Sequence, residues 1–443
     1  MNGAKNGDTC DATIEALSTD GRGIARIDGR AFFVSGGLPG DQVRLRLNAK
    51  ARPPAATILK LLVPSPHRVS HSCPHAAKCV GSPWGSLIYE EQLRHKRELV
   101  QRTLQKTLGL VEVEPVEASP RQWHYRNRVS LRVWHGQRRV EIGFAAEARR
   151  GEGIPIGTCH LATESVAAGV GAVDSALRHM GKEHLPLLPR RIQIHHTAQG
   201  AGALLICSGA CDPRIAEKWT EILGPHVLPG GLWMAGGTRA GVITPEKPIH
   251  AQANALPMRT LALGHEVDVH PAAFCQANSG AAAFIEEELR RLAQDRNLCR
   301  VWDLYGGFGS QGLAAAGSAL PVEVFEISRF SESTLKELAA VENNPEVRFH
   351  GGDLLETLPS YVPSIQADDM IILDPPRSGA HADALHMVGE SAAKTLIYLS
   401  CNPARLARDL AVLKPHHFHP QIIRPYDFFP QTPSIEVLTL LKR

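Results

Sequence analysis

At 443 residues, with 48 Lys and Arg against 45 Asp and Glu, the chain is long enough for two or three domains, each burying its own core. No stretch approaches the roughly 18 to 20 uncharged apolar residues of a membrane helix, and the polar segment Met1 to Asp11 is not a signal peptide, so a soluble cytoplasmic monomer without a membrane partner is expected. The net charge of +3 is too small to diagnose a nucleic-acid partner, and nine cysteines, an odd number spread over a long chain, fit thiol chemistry or metal binding better than a secreted disulfide framework.

From about Asp8 to Pro66 the chain has short alternating runs, Thr13 to Leu17, Ala31 to Val34 and Gln42 to Leu47, punctuated by glycines at 21, 23, 29, 36, 37 and 40. That pattern predicts a small closed β-barrel of OB-like type. Gly21-Arg22-Gly23-Ile24-Ala25-Arg26, then Phe33-Val34, Leu38-Pro39-Gly40-Asp41 and Ser65-Pro66-His67-Arg68, resemble the TRAM domain, an RNA-binding barrel appended to RNA-modifying enzymes.

A cysteine-containing region follows, and Ser86 to Leu110 then carries apolar residues at helical spacing up to Gly109, which predicts one amphipathic helix. Between Val111 and Leu261 the pattern is mostly of strands, with a helical stretch near Thr163 to Met180. Within it, eight arginines lie between Arg121 and Arg150 against Glu141 and Glu147, interleaved with Trp123, Tyr125, Trp134 and Phe144. Arginines pair with phosphates and aromatic faces stack on unpaired bases; a hairpin with solvated basic faces has the same composition.

Beyond Leu261 a helix over Ala281 to Ala293 precedes alternating strands and helices, the mark of a doubly wound parallel sheet. The expected architecture is therefore multidomain: a barrel over 1–66, a central α+β RNA-binding domain over 67–262, and a Rossmann-like α/β domain over 263–443, with the helix of residues 87–110 a candidate to pack on the last.

Val301 to Leu304 runs into Tyr305-Gly306-Gly307-Phe308-Gly309, and a second strand, Pro321 to Phe325, ends at Glu326, where a carboxylate can accept both ribose hydroxyls. Asp353 stands where a third strand ends; a helix cap explains it equally well. The glycine loop has neither the G-x-G-x-x-G form nor a phosphate-binding Lys, so a pyrophosphate is disfavoured. Acids beside a sulfonium carry no charge penalty, which favours S-adenosyl-L-methionine and a methyltransferase over a dehydrogenase.

Two apolar strands, Ile371 to Leu373 and Thr395 to Leu399, each deliver a proline-stiffened polar loop at the carboxyl end, Asp374-Pro375-Pro376-Arg377 and Ser400-Cys401-Asn402-Pro403. Ligands bind at such ends. A lone cysteine after a strand is usually an inert core residue; its place beside the Asp374 loop favours a functional one. With Phe274-Cys275-Gln276-Ala277-Asn278, Asp303 to Gly309, Glu326-Ile327-Ser328 and Phe429-Pro430-Gln431-Thr432-Pro433-Ser434-Ile435-Glu436, these loops resemble the RNA uridine C5 methyltransferases, specifically the bacterial TRAM-containing 23S rRNA (uracil-5-)-methyltransferases, over almost the whole chain. The resemblance implies S-adenosyl-L-methionine contacts from Gln276, Tyr305, Ser310, Glu326, Asp353 and Asp374, Cys401 as nucleophile and Glu436 as base. It also implies RNA contacts from Tyr125 and Arg126, and 23S rRNA as partner. Phe274 is a candidate to stack on the flipped base.

C5 of uracil is a poor nucleophile until a soft thiolate adds to C6. A free thiol near pKa 8.5 is only about 3% ionised at pH 7, and Arg377 is positioned in sequence to raise that fraction. An RNA 5-methylcytosine enzyme is the nearest chemical rival; its families show a Pro-Cys pair, and this chain has none.

Cys73, Cys79 and the distant Cys159 are similar to the same family's iron–sulfur motif, with Ser82 at the third ligand position. Four thiolates ordinarily hold such a cluster. Serine ligation, a three-iron cluster, a lost site, or zinc with His71 and His75 all remain open. So do two other functions, a tRNA uridine methyltransferase and a non-catalytic RNA-binding assembly factor.

Overall fold

The computed structural model describes residues 5–109, 111–145, 153–178, 180, 185, 187–209, 212–237, 249–251, 255–294 and 297–443. Arg149, Arg150 and Glu147 of the basic segment lie outside them. The first five strands, β1 (Thr9–Leu17), β2 (Gly23–Ile27), β3 (Arg30–Val34), β4 (Gln42–Asn48) and β5 (Ala55–Val63), close into a barrel in the order β1-β2-β3-β5-β4. Strict alternation in β4 turns Val43, Leu45 and Leu47 inward against Ile14, Phe32 and Val34, as a period of two demands. Asp41, fully buried, accepts from the backbone N–H of Leu38 and Ser65 and from the Arg68 guanidinium, pinning the barrel exit to the next segment.

Helix α1 (Tyr89–Leu108) buries Gln92, His95, Lys96, Val100 and Leu104 on one face. A seven-stranded sheet follows, made of β6 (Arg128–His135), β7 (Val140–Ala145), β8 (Gly153–Pro155), β9 (Arg191–Thr197), β10 (Gly200–Ser208), β11 (Leu232–Gly237) and β12 (Ile249–Ala251) in the order β12-β11-β10-β9-β6-β7-β8. Its apolar face packs against α2 (Glu164–Arg178) and α3 (Pro213–Ile222). Sequence periodicity passes over α3, a ten-residue helix capped by Asp212 and opened by Pro213.

After the hairpin β13 (Met258–Ala262) and β14 (His265–Val269) and helix α4 (Ser279–Gln294) comes the second large sheet. Its strands are β15 (Arg300–Leu304), β16 (Val322–Glu326), β17 (Val347–Gly351), β18 (Asp369–Leu373), β19 (Thr395–Ser400), β20 (His419–Tyr426) and β21 (Glu436–Lys442), ordered β17-β16-β15-β18-β19-β21-β20. β15 to β19 are parallel, and β21 is inserted antiparallel between β19 and β20. Near-continuous apolar runs in β18 and β19 follow from burial on both faces.

On one face lie α4, α5 (Ser310–Ala316) and α6 (Glu332–Val341); on the other lie α7 (Leu354–Thr357), α8 (Ala382–Glu390), α9 (Pro403–Leu413) and, packed on α9, α1. The chain order reverses between β15 and β18, so a crevice opens at their carboxyl ends. Among the described residues no helix is long and apolar enough to cross a membrane.

Candidate active site

Several of the loops that build the site leave a parallel strand at its carboxyl end. β15 ends in Tyr305 at φ +61°, Gly307 at +55° and Gly309 at +73°; a left-handed tyrosine is uncommon and marks a strained turn. Behind this turn Asp303 is fully buried and accepts from the Gly312 N–H at 2.9 Å. A Cβ on Gly306 would stand 2.6 Å from the Asp303 Cγ, and one on Gly312 would stand 2.9 Å from its Oδ2, so both positions require glycine for close approach.

Asp303 Oδ1 has no partner. Burial first, then the charges of Asp374 and Glu326, push its carboxyl up to about 7 against the pull of the Gly312 N–H. Asp374, at the end of β18, accepts from the Gln311 amide at 2.7 Å, and burial lifts it to about 6. Glu326 accepts from the N–H groups of Gly307 at 3.2 Å and Ser328 at 2.8 Å, and burial raises it too. A buried edge of crowded carboxylates is the environment a cation relieves.

β19 and β21 hold the remaining pair. Ser400 is in register with Val437 across this antiparallel ladder, so the next step along each strand brings Cys401 opposite Glu436. Glu436 is buried with Oε1 unpartnered; burial and then Asp374 hold its carboxyl well above the usual range, with Arg377 opposing. Burial and then Glu436 push the Cys401 thiol up to about 11, with Arg377 pulling the other way. The thiolate-favouring effect of Arg377 thus exists but is outweighed.

One cavity of about 1140 Å³ is lined by Gln276, Tyr305, Glu326, Asp353, Asp374, Cys401 and Glu436, and by Phe274 and Arg126. Three expectations from sequence fare differently. Ser310 lines a small adjoining space beside Gln311 and Glu286 instead. Asp353 caps α7 by accepting from the Leu355 N–H at 2.9 Å, so the cap reading holds, and it also borders the cavity. Tyr125 does not face RNA: it is buried, and its hydroxyl donates to the Pro430 carbonyl at 3.1 Å. Gln311, which sequence reasoning passed over, sits next to Ser310 in the same turn.

The cysteine region opens onto this cavity through Cys73, Cys79, Ser82 and Cys159. Ser82 is committed to His71, whose Nδ1 accepts from the Cys73 N–H at 3.0 Å and whose Nε2 lies 3.0 Å from the Ser82 carbonyl and 3.3 Å from its hydroxyl. Among the described residues no three His, Cys, Asp or Glu side chains form a metal-holding group. Three thiols and an engaged hydroxyl do not fit a four-thiolate cluster, nor do His71 and His75 complete a zinc site.

Comparison with known proteins bears on the family and the fold. The TRAM domain family matches residues 3–49 and the tRNA (uracil-5-)-methyltransferase family matches residues 358–443. A 23S rRNA (uracil(1939)-C(5))-methyltransferase of Pseudomonas putida is 30% identical over 97% of this chain and 92% of its own. The chain belongs to the RNA (uracil-5-)-methyltransferase family. An uncharacterized RNA methyltransferase of Geobacter sulfurreducens is likewise 30% identical, over 99% of this chain and 90% of its own. The Pyrococcus abyssi tRNA (uracil-54, C5)-methyltransferase, solved with S-adenosyl-L-homocysteine, shares the fold at a TM-score of 0.69 and 21% identity, covering 98% of this chain and all of that one. In this RNA (uracil-5-)-methyltransferase the cavity is lined by residues at the carboxyl edge of the parallel sheet and by residues of the segment that carries Arg126 and Arg128.

Proposed function

We propose that the protein methylates C5 of a uridine in 23S rRNA, in the cytoplasm, through a covalent bond between Cys401 and C6 of the ring. The observation that carries this reading is that Cys401 and Glu436, each one residue beyond the paired Ser400 and Val437, line one cavity with the carboxylates of Glu326 and Asp374. S-adenosyl-L-methionine, when bound, supplies an electrophilic methyl group. The residues fit it: Glu326 stands at a strand end, where ribose hydroxyls are received in such folds, Gln276 and Tyr305 border the same space, and the unpartnered Gln311 oxygen on the small adjoining space suits a donor-bearing molecule.

Cys401 adds as thiolate to C6, and the ring electrons move to C5, which becomes nucleophilic. After methylation C5 carries both a methyl group and a proton. Glu436, as carboxylate, removes that proton; the C5–C6 double bond re-forms and the Cys401 thiolate leaves. A stacked base cannot reach these groups, so the uridine is unpaired or flipped.

The choice of 23S rRNA rests on relatives that align over nearly the whole chain, whereas the tRNA enzyme shares the fold only. Labelled S-adenosyl-L-methionine with 23S rRNA and with tRNA tests it. Incorporation into 23S rRNA that Cys401→Ala abolishes is expected, as is a Cys401-dependent adduct with 5-fluorouridine-substituted RNA. Full activity of Cys401→Ala ends the covalent reading, and labelling of tRNA alone ends the rRNA assignment.

A further inference from the structure

The loop from Asp427 to Ile435 links β20 to β21, and its first residues form part of the cavity wall through Phe429. Two buried side chains of α1 grip it. Lys96, fully buried, places its ammonium 2.5 Å from Asp427 Oδ1 and donates to the Phe429 carbonyl oxygen at 3.0 Å. Asp427 in turn accepts from the Phe429 N–H at 3.1 Å. Gln92, also fully buried, donates to Gln431 Oε1 and accepts from the Gln431 N–H, both at 2.8 Å. Both backbone polar groups of Phe429 are therefore held by one ion pair.

Burying a lysine and an aspartate entirely costs several kcal/mol per ion before their attraction is counted, and well-packed apolar residues often do as well for stability. A gain beyond stability needs a reason, and the position of Phe429 supplies one. Its ring carries the Arg126 guanidinium 5.5 Å from its centroid, and the Arg126 Nε is buried without a partner. Both side chains line the cavity that holds Cys401 and Glu436, and Phe274 lines it too. Arg126 also lies 5.7 Å from the Tyr125 ring centroid, and an aromatic face beside a guanidinium with an unsatisfied N–H is what receives an unstacked base and its phosphate.

We infer that Phe429 and Arg126 form the wall that receives the flipped uracil, and that Lys96, acting through Asp427, is the positioning residue that fixes this wall beside Cys401. The inference rests on the proposed reading of the cavity as a uridine C5 methylation site.

The test is a double-mutant cycle on the full chain with 23S rRNA. Phe429→Ala is expected to raise KM for RNA on the order of tenfold, the scale of one lost base stack, with a smaller fall in kcat. Lys96→Met combined with Asp427→Leu removes the clip while keeping the volume filled, and should raise KM to a similar degree. The triple variant should then be no worse than Phe429→Ala alone. Additive losses, or an unchanged KM in Phe429→Ala, overturn the inference. Should the clip variant not fold, Arg126→Gln combined with Phe429→Ala keeps the wall testable: sub-additive losses support it and independent ones refute it. Failure of the wild-type protein to methylate any RNA would instead count against the underlying function.

Discussion

Asn402 Nδ2 donates to the Arg377 carbonyl oxygen at 3.1 Å, and this bond joins the loop that follows β18 to the one that follows β19. The same side chain caps α9 by accepting from the N–H groups of Ala404 and Arg405. Cap and tie can be separated. Asn402→Asp retains an acceptor for the cap, which is worth about 1 kcal/mol, but loses the donor and sets a carboxylate next to Cys401. Thermal unfolding should change little, whereas adduct formation with 5-fluorouridine RNA should fall about tenfold or more. Equal rates in the two proteins would show that the loops hold each other by other means.

The Cys401 thiol is pushed up to about 11, so in the free enzyme it is protonated at neutral pH. Alkylation by iodoacetamide, followed at the Cys401 peptide by mass spectrometry, should be slow at pH 7 and rise close to tenfold per pH unit toward pH 10. Arg377 opposes the upward shift. Arg377→Ala should accordingly slow alkylation at any pH in that range; faster labelling would contradict the sign.

Asp303 offers a stability test with a definite direction. Its folded value near 7 lies above the roughly 3.9 of an unfolded aspartate. The folded state therefore binds more protons between those values, and stability falls as pH rises through that window. Asp303→Asn removes the titration and keeps an acceptor for the Gly312 N–H. Its stability relative to the parent should improve from pH 5 to pH 8 in urea unfolding, and a difference constant with pH would refute the assignment.

Glu436→Gln retains the shape of the proposed base without its proton affinity. Methyl transfer should proceed and release should stall, so methylated RNA should accumulate as a denaturant-stable adduct on ordinary, unfluorinated substrate. Normal turnover in this variant would exclude Glu436 as the base.

Much of the edge that lines the cavity was legible in the chain because each part is local. An apolar run ending in a polar loop marks a strand end, as at Glu326, Asp374 and Cys401, and prolines stiffen the last two of these loops. The barrel was legible for the same reason, through alternation and glycine spacing. Other residues misled because their partners are remote. Tyr125 stands among arginines and reads as surface, yet it serves a carbonyl of Pro430. Lys96, which helical spacing alone does not single out, is buried against Asp427.

The residue types for the chemistry, a thiol, a carboxylate and an acidic strand edge, were thus determined by sequence. Their juxtaposition was not. It depends on β21 entering antiparallel between β19 and β20, which sets Glu436 across from Cys401. A strand's pattern specifies which face is buried but not which neighbour it pairs with, and only packing of the whole sheet selects the neighbour.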